Sequence, residues 1–562
     1  MTTNPGTTLA IWHGYLLGAT GSNIYSRHLI RAWVRAGHDV VLACQESHPD
    51  QFAEIHDVVR LVHDEETGSV TAERRAIREP EPGHGRCTMV VPDVHGLLPV
   101  YVMDRYAGFE VVRLVDATPE QRARYARDQA AAITWVLDNF APDGVLINHA
   151  TPLPAALQPV LEARGVPYAV KVHGSELEYA LVEDPSLAPA AAHALTGAAA
   201  VLVGSGHIER RTAELLGASC LEGRVVTIPP GVDLTDFQPL PEGGRAAGHA
   251  ALVASLLARG AQQAAGRTLD TSARIVELVA GPAADLVDGL IALQGTYQER
   301  HVEASAVAEL ERLDLVADEP SIVFVGKLIP QKGVHLLLAA LPQVLAAHPT
   351  ARIVIAGFGP LRDGLEALLV AMQSGNEAAL DALAADMGRL SGEGGSALLH
   401  LAAWLDELRQ LGELATWLAT CAEVRVAERV AWLGLVDHEI LAELWPLAST
   451  SVVPSILAEA FGMVAAEAAT CGCVPIVSDH SGLADAAAVI ERGGVTPVRF
   501  PLEGEPSDAV PALAAALNAR LSLTAEEAHR QALAARANVA AEWGWDQLAA
   551  LVVERMTGRH AG

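Results

Sequence analysis

Leu9-Ala10-Ile11-Trp12-His13 is followed by a loop holding Gly14, Gly18 and Gly21, a helical stretch from about Asn23 to Ala36, the turn Gly37-His38-Asp39 and the apolar run Val40 to Cys44. A buried strand, a glycine-rich loop, a helix, a turn and a second strand make the opening of a doubly wound α/β domain. Similar short apolar runs recur at Gly144 to Ile147, Tyr168 to Val172 and Ala200 to Val203, separated by Ala-rich helical sequence. The first domain is therefore expected over residues 1–239. A second series of strands begins at Ser321 to Gly326 and continues through Arg352 to Gly357, Val430 to Gly434, Thr450 to Val453 and Val474 to Val477. Strands alternating with helices predict a second parallel sheet, over 321–540. Residues 240–320 read as a helical insert or linker, about 362–429 as a helical insert within the second domain, and 541–562 as a C-terminal helix.

Composition narrows the function classes. A chain of 562 residues is too long for one core, and 51% hydrophobic with 19% charged residues is an ordered globular composition. The net charge of −29 repels nucleic acid backbones and anionic lipid surfaces, so nucleic acid is not an expected partner, while a local basic pocket can still hold a small anion. Six cysteines without a CxxC fit a reducing cytoplasm. No signal peptide or membrane span is legible, since the apolar runs are short and interrupted. The basic residues are 36 Arg and only three Lys: Lys171, Lys327 and Lys332. In an Arg- and Ala-rich chain typical of a GC-rich genome, the survivors mark places where a compact ammonium differs from a guanidinium.

Two doubly wound domains bind their ligand at the carboxyl ends of the strands. The first loop spells G-x-x-x-G-x-x-G rather than the dinucleotide fingerprint, and Ala43-Cys44-Gln45 stand where an acidic residue would close the second strand, so NAD is not expected. In the second domain, Val325-Gly326-Lys327-Leu328-Ile329-Pro330-Gln331-Lys332-Gly333 follows a strand and opens a helix. Two cations there call for an anion such as a diphosphate. Further on, Glu459 and Glu467 flank Phe461-Gly462-Met463-Val464. Amides at that helix start can hold a phosphate or sugar oxygen, and the carboxylates can accept bonds from vicinal hydroxyls. A paired-carboxylate hydrolase is the rival, but on a continuous helix the two would stand about 12 Å apart, beyond the roughly 5 to 9.5 Å such pairs use.

The E-x7-E spacing of Glu459 and Glu467, the Gly326-Lys327 and Lys332-Gly333 loop, the Ile228-Pro229-Pro230-Gly231-Val232-Asp233 segment and the turn Gly357-Phe358-Gly359-Pro360-Leu361 together resemble retaining glycosyltransferases of family 4. The resemblance implies a GT-B fold, two Rossmann-like domains facing across a cleft. It also implies roles. Lys327, where the family more often has Arg, and Lys332 neutralise the donor diphosphate, with Gly18, Gly21, Gly462 and Met463 nearby. Glu459, Phe461 and His173 meet the donor sugar, and Glu467 the ribose; His173, Lys332 and Glu459 are the implied catalytic set. Asn148 and His149, at a strand end, are candidates for the acceptor.

The expected function is transfer of a sugar from a nucleoside-diphosphate sugar, UDP-sugars among the candidates, to an unidentified acceptor. No D-x-D triplet occurs, so the lysines are expected to replace a metal, and no cofactor is expected. The alternatives are a non-catalytic sugar-nucleotide-binding scaffold and a GT-B sugar-nucleotide epimerase. The helical inserts offer surfaces for oligomerisation.

Overall fold

The computed structural model describes residues 6–558 except 19–20, 103–105, 107, 262–266, 295–300, 318 and 393–396, and for Leu269 the backbone only. Ala19 and Thr20 of the first glycine-rich loop thus lie outside the described residues, as do parts of both helical inserts. The chain divides into two compact units: Met1–Asp233 with Trp543–Gly562, and Leu234–Glu542.

The first unit is built on a nine-stranded sheet. Its strands are β1 (Thr8–Trp12), β2 (Asp39–Ala43), β3 (Asp57–His63), β4 (Val70–Ala76), β5 (Cys87–Val91), β8 (Gly144–Asn148), β9 (Tyr168–Val172), β10 (Ala200–Val203) and β11 (Val225–Thr227); β6 (Leu97–Val100) and β7 (Glu110–Arg113) pair separately. The order is 11-10-9-8-1-2-5-3-4, and only β3 and β4 run antiparallel. The central strands are apolar and buried on both faces, as a covered parallel sheet requires. The sequence reading passed over β3 to β5, because β3 alternates with exposed Arg60 and β4 carries Glu73, Arg74 and Arg75 on an exposed edge. Charge on that edge blunts it against pairing with another chain.

The unit boundary falls at Asp233 rather than 239, and the C-terminal helix Trp545–Thr557 belongs to the first unit. The cause is packing. A Cβ on Gly231 would meet the Trp545 ring at 2.6 Å, Val232 N donates to Trp543 O at 2.7 Å, and Trp33 Nε1 donates to Ala549 O at 3.1 Å. Buried Asp233 lies 3.6 and 3.5 Å from Arg31 and Arg35.

The second unit holds six parallel strands: β12 (Ser321–Val325), β13 (Arg352–Ala356), β14 (Val430–Gly434), β15 (Thr450–Val453), β16 (Val474–Ser478) and β17 (Arg499–Phe500), in the order 14-13-12-15-16-17. The two stretches read as inserts form helices of this unit, including Leu269–Ala280, Ala283–Gln294 and Arg362–Ser374. Ile275, Val279, Leu286 and Leu290 share one apolar core with Leu336 to Leu345 and Leu365 to Leu369. Residues 240–320 are thus integral to the second unit and not a linker. A buried ionic network adds to the join: Arg362 bonds Glu303 at 2.9 Å and Glu366 at 2.8 Å, and Arg267 bonds Asp363 at 3.0 Å. Removing one member of such a network leaves an unpaired buried charge, which costs about 3–5 kcal/mol. Among the described residues no helix is long and apolar enough to cross a membrane, and all six cysteines are buried thiols.

Candidate functional site

In the second unit the chain leaves β12 toward β13 and β14 on one side of the sheet, and returns to place β15, β16 and β17 on the other. The carboxyl ends of adjacent β12 and β15 therefore flank a topological switch point, where an open α/β sheet binds its ligand. Both predicted motifs emerge there. After β12 comes the lysine loop, ending in a turn at Pro330–Lys332; after β15 comes the segment 454–462, ahead of the helix Met463–Thr470.

Backbone contact locks the two loops together. Ile456 N donates to Gln331 O at 2.8 Å. Gly333 has φ +67°, and a Cβ on it would lie 1.9 Å from Pro454 O, so only glycine permits the approach. Gly462 caps the helix with φ +110°, where a Cβ would strike Leu483 at 2.5 Å. Lys332 Nζ donates to Glu459 Oε1, which also accepts from Ser455 Oγ at 2.6 Å. Ser481 Oγ accepts from Glu459 N at 2.9 Å, while Ser478 Oγ and His480 Nε2 donate to Ser455 O at 2.6 and 2.7 Å. Burial alone would raise the Glu459 carboxyl, but Lys332 and the Ser455 hydroxyl bring it below its ordinary range, so it stands ionised. Lys327 is exposed at the start of the same loop, and Phe461 is buried.

Glu467 is a different kind of carboxylate. It is 4% exposed, inside the helix, and burial pushes it up to about 8. Its Oε1 lies 3.6 Å from His438 Nδ1, and among the described residues its Oε2 has no hydrogen-bond partner. A buried acceptor in that state is suited to a hydroxyl supplied by a ligand.

The first unit repeats the topology: β1 and β8 are adjacent, and the chain runs outward from them in opposite directions. A polar cluster sits at their carboxyl ends. Asn148 Nδ2 donates to Ser26 Oγ at 2.9 Å and to His13 Nδ1 at 3.1 Å, and Asn148 Oδ1 accepts from His173 Nε2 at 2.8 Å. His13 Nε2 donates to Asn23 Oδ1 at 2.8 Å, and Asn23 Nδ2 to Gly18 O. Gly18 and Gly21 are exposed, Gly21 opening the helix Gly21–Arg35. Buried Glu176 accepts from the amides of His173 at 2.9 Å, Gly174 at 3.0 Å and Ala150 at 3.2 Å, and from His149 Nδ1 at 3.1 Å. Burial, reinforced by His149, Lys171 and His13, holds His173 well below its ordinary range, and burial lowers His13 to about 4. With its Nε2 proton committed to Asn148, neutral His173 offers Nδ1 as an acceptor.

Asn148 and His149 do not stand at an acceptor surface. They are 0% and 1% exposed, and Asn148 is committed to three neighbours, so it orients His173 instead. Lys171 is also internal: Nζ donates to Ile228 O at 2.5 Å, lies 5.0 Å from the Tyr25 ring centroid, and is lowered by burial to about 7. The sequence reading missed His13, Ser26 and Glu176 here, and Ser455, His480 and His438 in the second unit. His13 carries a signal, since it directly follows β1 at the sheet end where Asn148 closes β8; the others are set by tertiary packing.

Comparison with known proteins agrees with this architecture. The Glycosyl transferase 4-like domain matches residues 20–231, and Glycosyl transferases group 1 matches residues 308–378 and 412–499, leaving part of the second helical insert outside. Among curated proteins, D-inositol 3-phosphate glycosyltransferase of Geodermatophilus obscurus is 31% identical over 268 residues, 46% of this chain and 48% of that one. Glycogen synthase of Mycobacterium tuberculosis is 28% identical over 228 residues, 41% of this chain and 40% of its own. The chain thus spans less than half the length of these relatives. Among solved structures, Anabaena HepE in complex with UDP aligns over 98% of this chain and 100% of its own, at 13% identity and a TM-score of 0.52. The catalytic domain of Arabidopsis thaliana starch synthase IV, bound to ADP and acarbose, aligns over 99% and 100% at 14% identity and 0.51. Two parallel α/β units carrying these two domains in this order define a GT-B protein. The chain belongs to the GT-B glycosyltransferases with a 4-like N-terminal and a group 1 C-terminal domain.

Proposed function

We propose that this chain is a retaining glycosyltransferase that moves a sugar from a nucleoside-diphosphate sugar to an acceptor, without a divalent cation at the diphosphate. The observation that supports it most is the Lys332–Glu459 pair at the switch point of the second sheet, which sets a cation for the diphosphate beside a carboxylate for sugar hydroxyls. As the glycosidic bond breaks, the sugar gains oxocarbenium character and negative charge grows on the departing diphosphate. Lys332, Lys327 and the amides of Phe461, Gly462 and Met463 aimed at that charge stabilise the barrier state more than the ground state. Glu467 takes the ribose. His173 meets the sugar through a neutral imidazole positioned by Asn148 and Glu176. With no enzymatic nucleophile assigned, the leaving phosphate itself helps deprotonate the acceptor on the same face. We place the reaction in a reducing cytoplasm, in keeping with the six free cysteines.

One neighbour holds UDP and another ADP, so the base is chosen by experiment. A thermal-shift panel of UDP-, GDP- and ADP-sugars identifies the donor, since a ligand at a hundred times its dissociation constant adds about 2.7 kcal/mol. Incubation with that donor and candidate acceptors should release nucleoside diphosphate and a glycoside of retained anomeric configuration. Binding without release would indicate a scaffold, and an isomerised sugar nucleotide an epimerase. Calorimetry should give the same donor affinity with and without Mn²⁺; a requirement for the ion would contradict the lysine clamp.

The two glutamates should separate. Glu467→Gln should weaken nucleoside diphosphate and donor alike, because both contain ribose, whereas Glu459→Gln should spare nucleoside diphosphate and impair donor use. Glu467 also makes a stability prediction. Its folded pKa of about 8 lies above the ordinary 4.5, so its neutral form favours the fold below 4.5 and that advantage fades as pH rises through 8. Glu467→Gln, which cannot ionise, should therefore gain in melting temperature over the unaltered protein between pH 6 and pH 8; an unchanged difference across that range would refute the assignment.

A further inference from the structure

β15 and β16 are neighbours in the second sheet, so the chain leaving β16 runs beside the segment 454–462 that carries Glu459. Hydrogen bonds join the two. Ser478 Oγ and His480 Nε2 donate to Ser455 O at 2.6 and 2.7 Å, Gly482 N donates to Glu459 O at 2.9 Å, and Glu459 N donates to Ser481 Oγ at 2.9 Å. Both backbone groups of Glu459 are therefore held by consecutive residues of one turn. Peptide units are planar, so a bond on each side of a Cα fixes the two planes that meet there and, with them, the direction in which the side chain leaves.

Ser481 makes its bond from an unfavourable conformation. Its φ is +54°, in the left-handed region, where a Cβ crowds the following carbonyl oxygen and glycine is at ease but serine is not. Ala141 and Asp314 share that region, but each caps the end of a helix, the ordinary use of a left-handed residue. Ser481 instead stands first in the helix Ser481–Ile490. Glycine does occupy the next position, where a Cβ would strike Ala460 O at 2.4 Å. The backbone at 481 thus favours the residue that the turn already uses at 482. What serine adds over glycine is a hydroxyl, and that hydroxyl accepts from the amide of Glu459. Strain kept at one residue beside a binding loop points to a task for its side chain.

We propose that Ser481 is a positioning residue: its hydroxyl, together with the amide of Gly482, fixes the backbone of Glu459 so that the carboxylate faces the donor sugar, at the expense of a less stable turn. This rests on the reading of Glu459 as the sugar-binding carboxylate, and Ser481 acts through it. The Ser455 hydroxyl and Lys332, which reach Glu459 Oε1, then hold a side chain that is already aimed. Stability and function separate at this one position. Ser481→Gly and Ser481→Ala both delete the hydroxyl, but only glycine relieves the strain. Ser481→Thr keeps the hydroxyl and, with its branched Cβ, increases the strain.

The test uses the full chain, the donor that the thermal-shift panel of UDP-, GDP- and ADP-sugars selects, and its nucleoside diphosphate alone. Ser481→Gly should melt about 2–4 °C above Ser481→Ala. Both should release nucleoside diphosphate from the donor, with water as acceptor, roughly three- to tenfold more slowly than the unaltered protein, the weight of one neutral hydrogen bond. Calorimetric affinity for the nucleoside diphosphate alone should not change. Ser481→Thr should recover most of the rate while melting below the unaltered protein. A role in stability alone makes rate follow melting temperature, so a Ser481→Gly variant faster than Ser481→Ala, or as fast as the unaltered protein, would overturn the proposal. That pair decides even where Ser481→Thr does not fold. Glu459→Gln, measured beside them, tells which idea has failed: a slow Glu459→Gln with a normal Ser481→Gly overturns the proposal alone, whereas a normal rate in Glu459→Gln removes the reading beneath it and the proposal as well.

Discussion

Lys332→Ala should lower turnover with the identified donor by roughly thirty- to a thousand-fold, or about 2 to 4 kcal/mol of transition-state stabilisation. The ammonium contributes most when the diphosphate carries its full leaving charge, so the loss should appear in kcat more than in KM. The same substitution strips Glu459 of its countercharge. With burial still acting and the attraction gone, the carboxyl moves up toward protonation, and its grip on sugar hydroxyls weakens as well. Lys327→Arg, which retains a cation at the exposed start of the loop, should be far milder. Steady-state kinetics of the two variants side by side provide the check. Near-normal turnover in Lys332→Ala would remove the central element of the proposed chemistry.

Glu176→Ala should destabilise the first unit by about 3–5 kcal/mol. Glu176 is fully buried and accepts from three backbone amides and His149. Deleting it leaves those donors without a partner in a place water does not reach, and each carries its own desolvation penalty. Two of the amides belong to His173 and Gly174, so the loop that aims His173 loses its anchor at the same time. Urea denaturation should show the early loss of the first unit, while nucleoside diphosphate affinity, carried by the second, should persist. A variant as stable as the unaltered protein would mean that the loop is held by something other than this carboxylate.

The central parallel strands and the two loops at the switch point of the second sheet are legible in the sequence because each leaves a local trace. Short apolar runs such as Ser321 to Val325 announce buried strands, and Gly-Lys, Lys-Gly and the E-x7-E spacing are contiguous patterns. What could not be read depends on residues far apart in the chain. The Lys332–Glu459 pair spans 127 positions, so the reading that sent both lysines to a diphosphate had no means of pairing one of them with a glutamate. The strand-end position of Asn148 makes it a candidate for the acceptor, whereas the fold closes His13, Ser26 and His173 around it. Polar edge strands such as β4 leave no apolar trace, and the integral position of 240–320 depends on packing against helices of a distant segment.

The return of Trp543–Gly562 to the first unit also orders events on the ribosome. Tyr25, Trp33 and Gly231 are synthesised before the second unit, but the Trp545 ring and the Ala549 carbonyl that cover them only after it. All of Leu234–Glu542 is translated in between, a delay of roughly 15–60 s at about 5–20 residues per second. Throughout that interval the helix Gly21–Arg35 lacks the ring and the carbonyl that its Tyr25 and Trp33 meet in the folded unit. The second unit, whose segments are continuous, can be complete before the first is closed. Chaperone capture of stalled chains should therefore concentrate on that helix face, and release should follow emergence of the helix Trp545–Thr557.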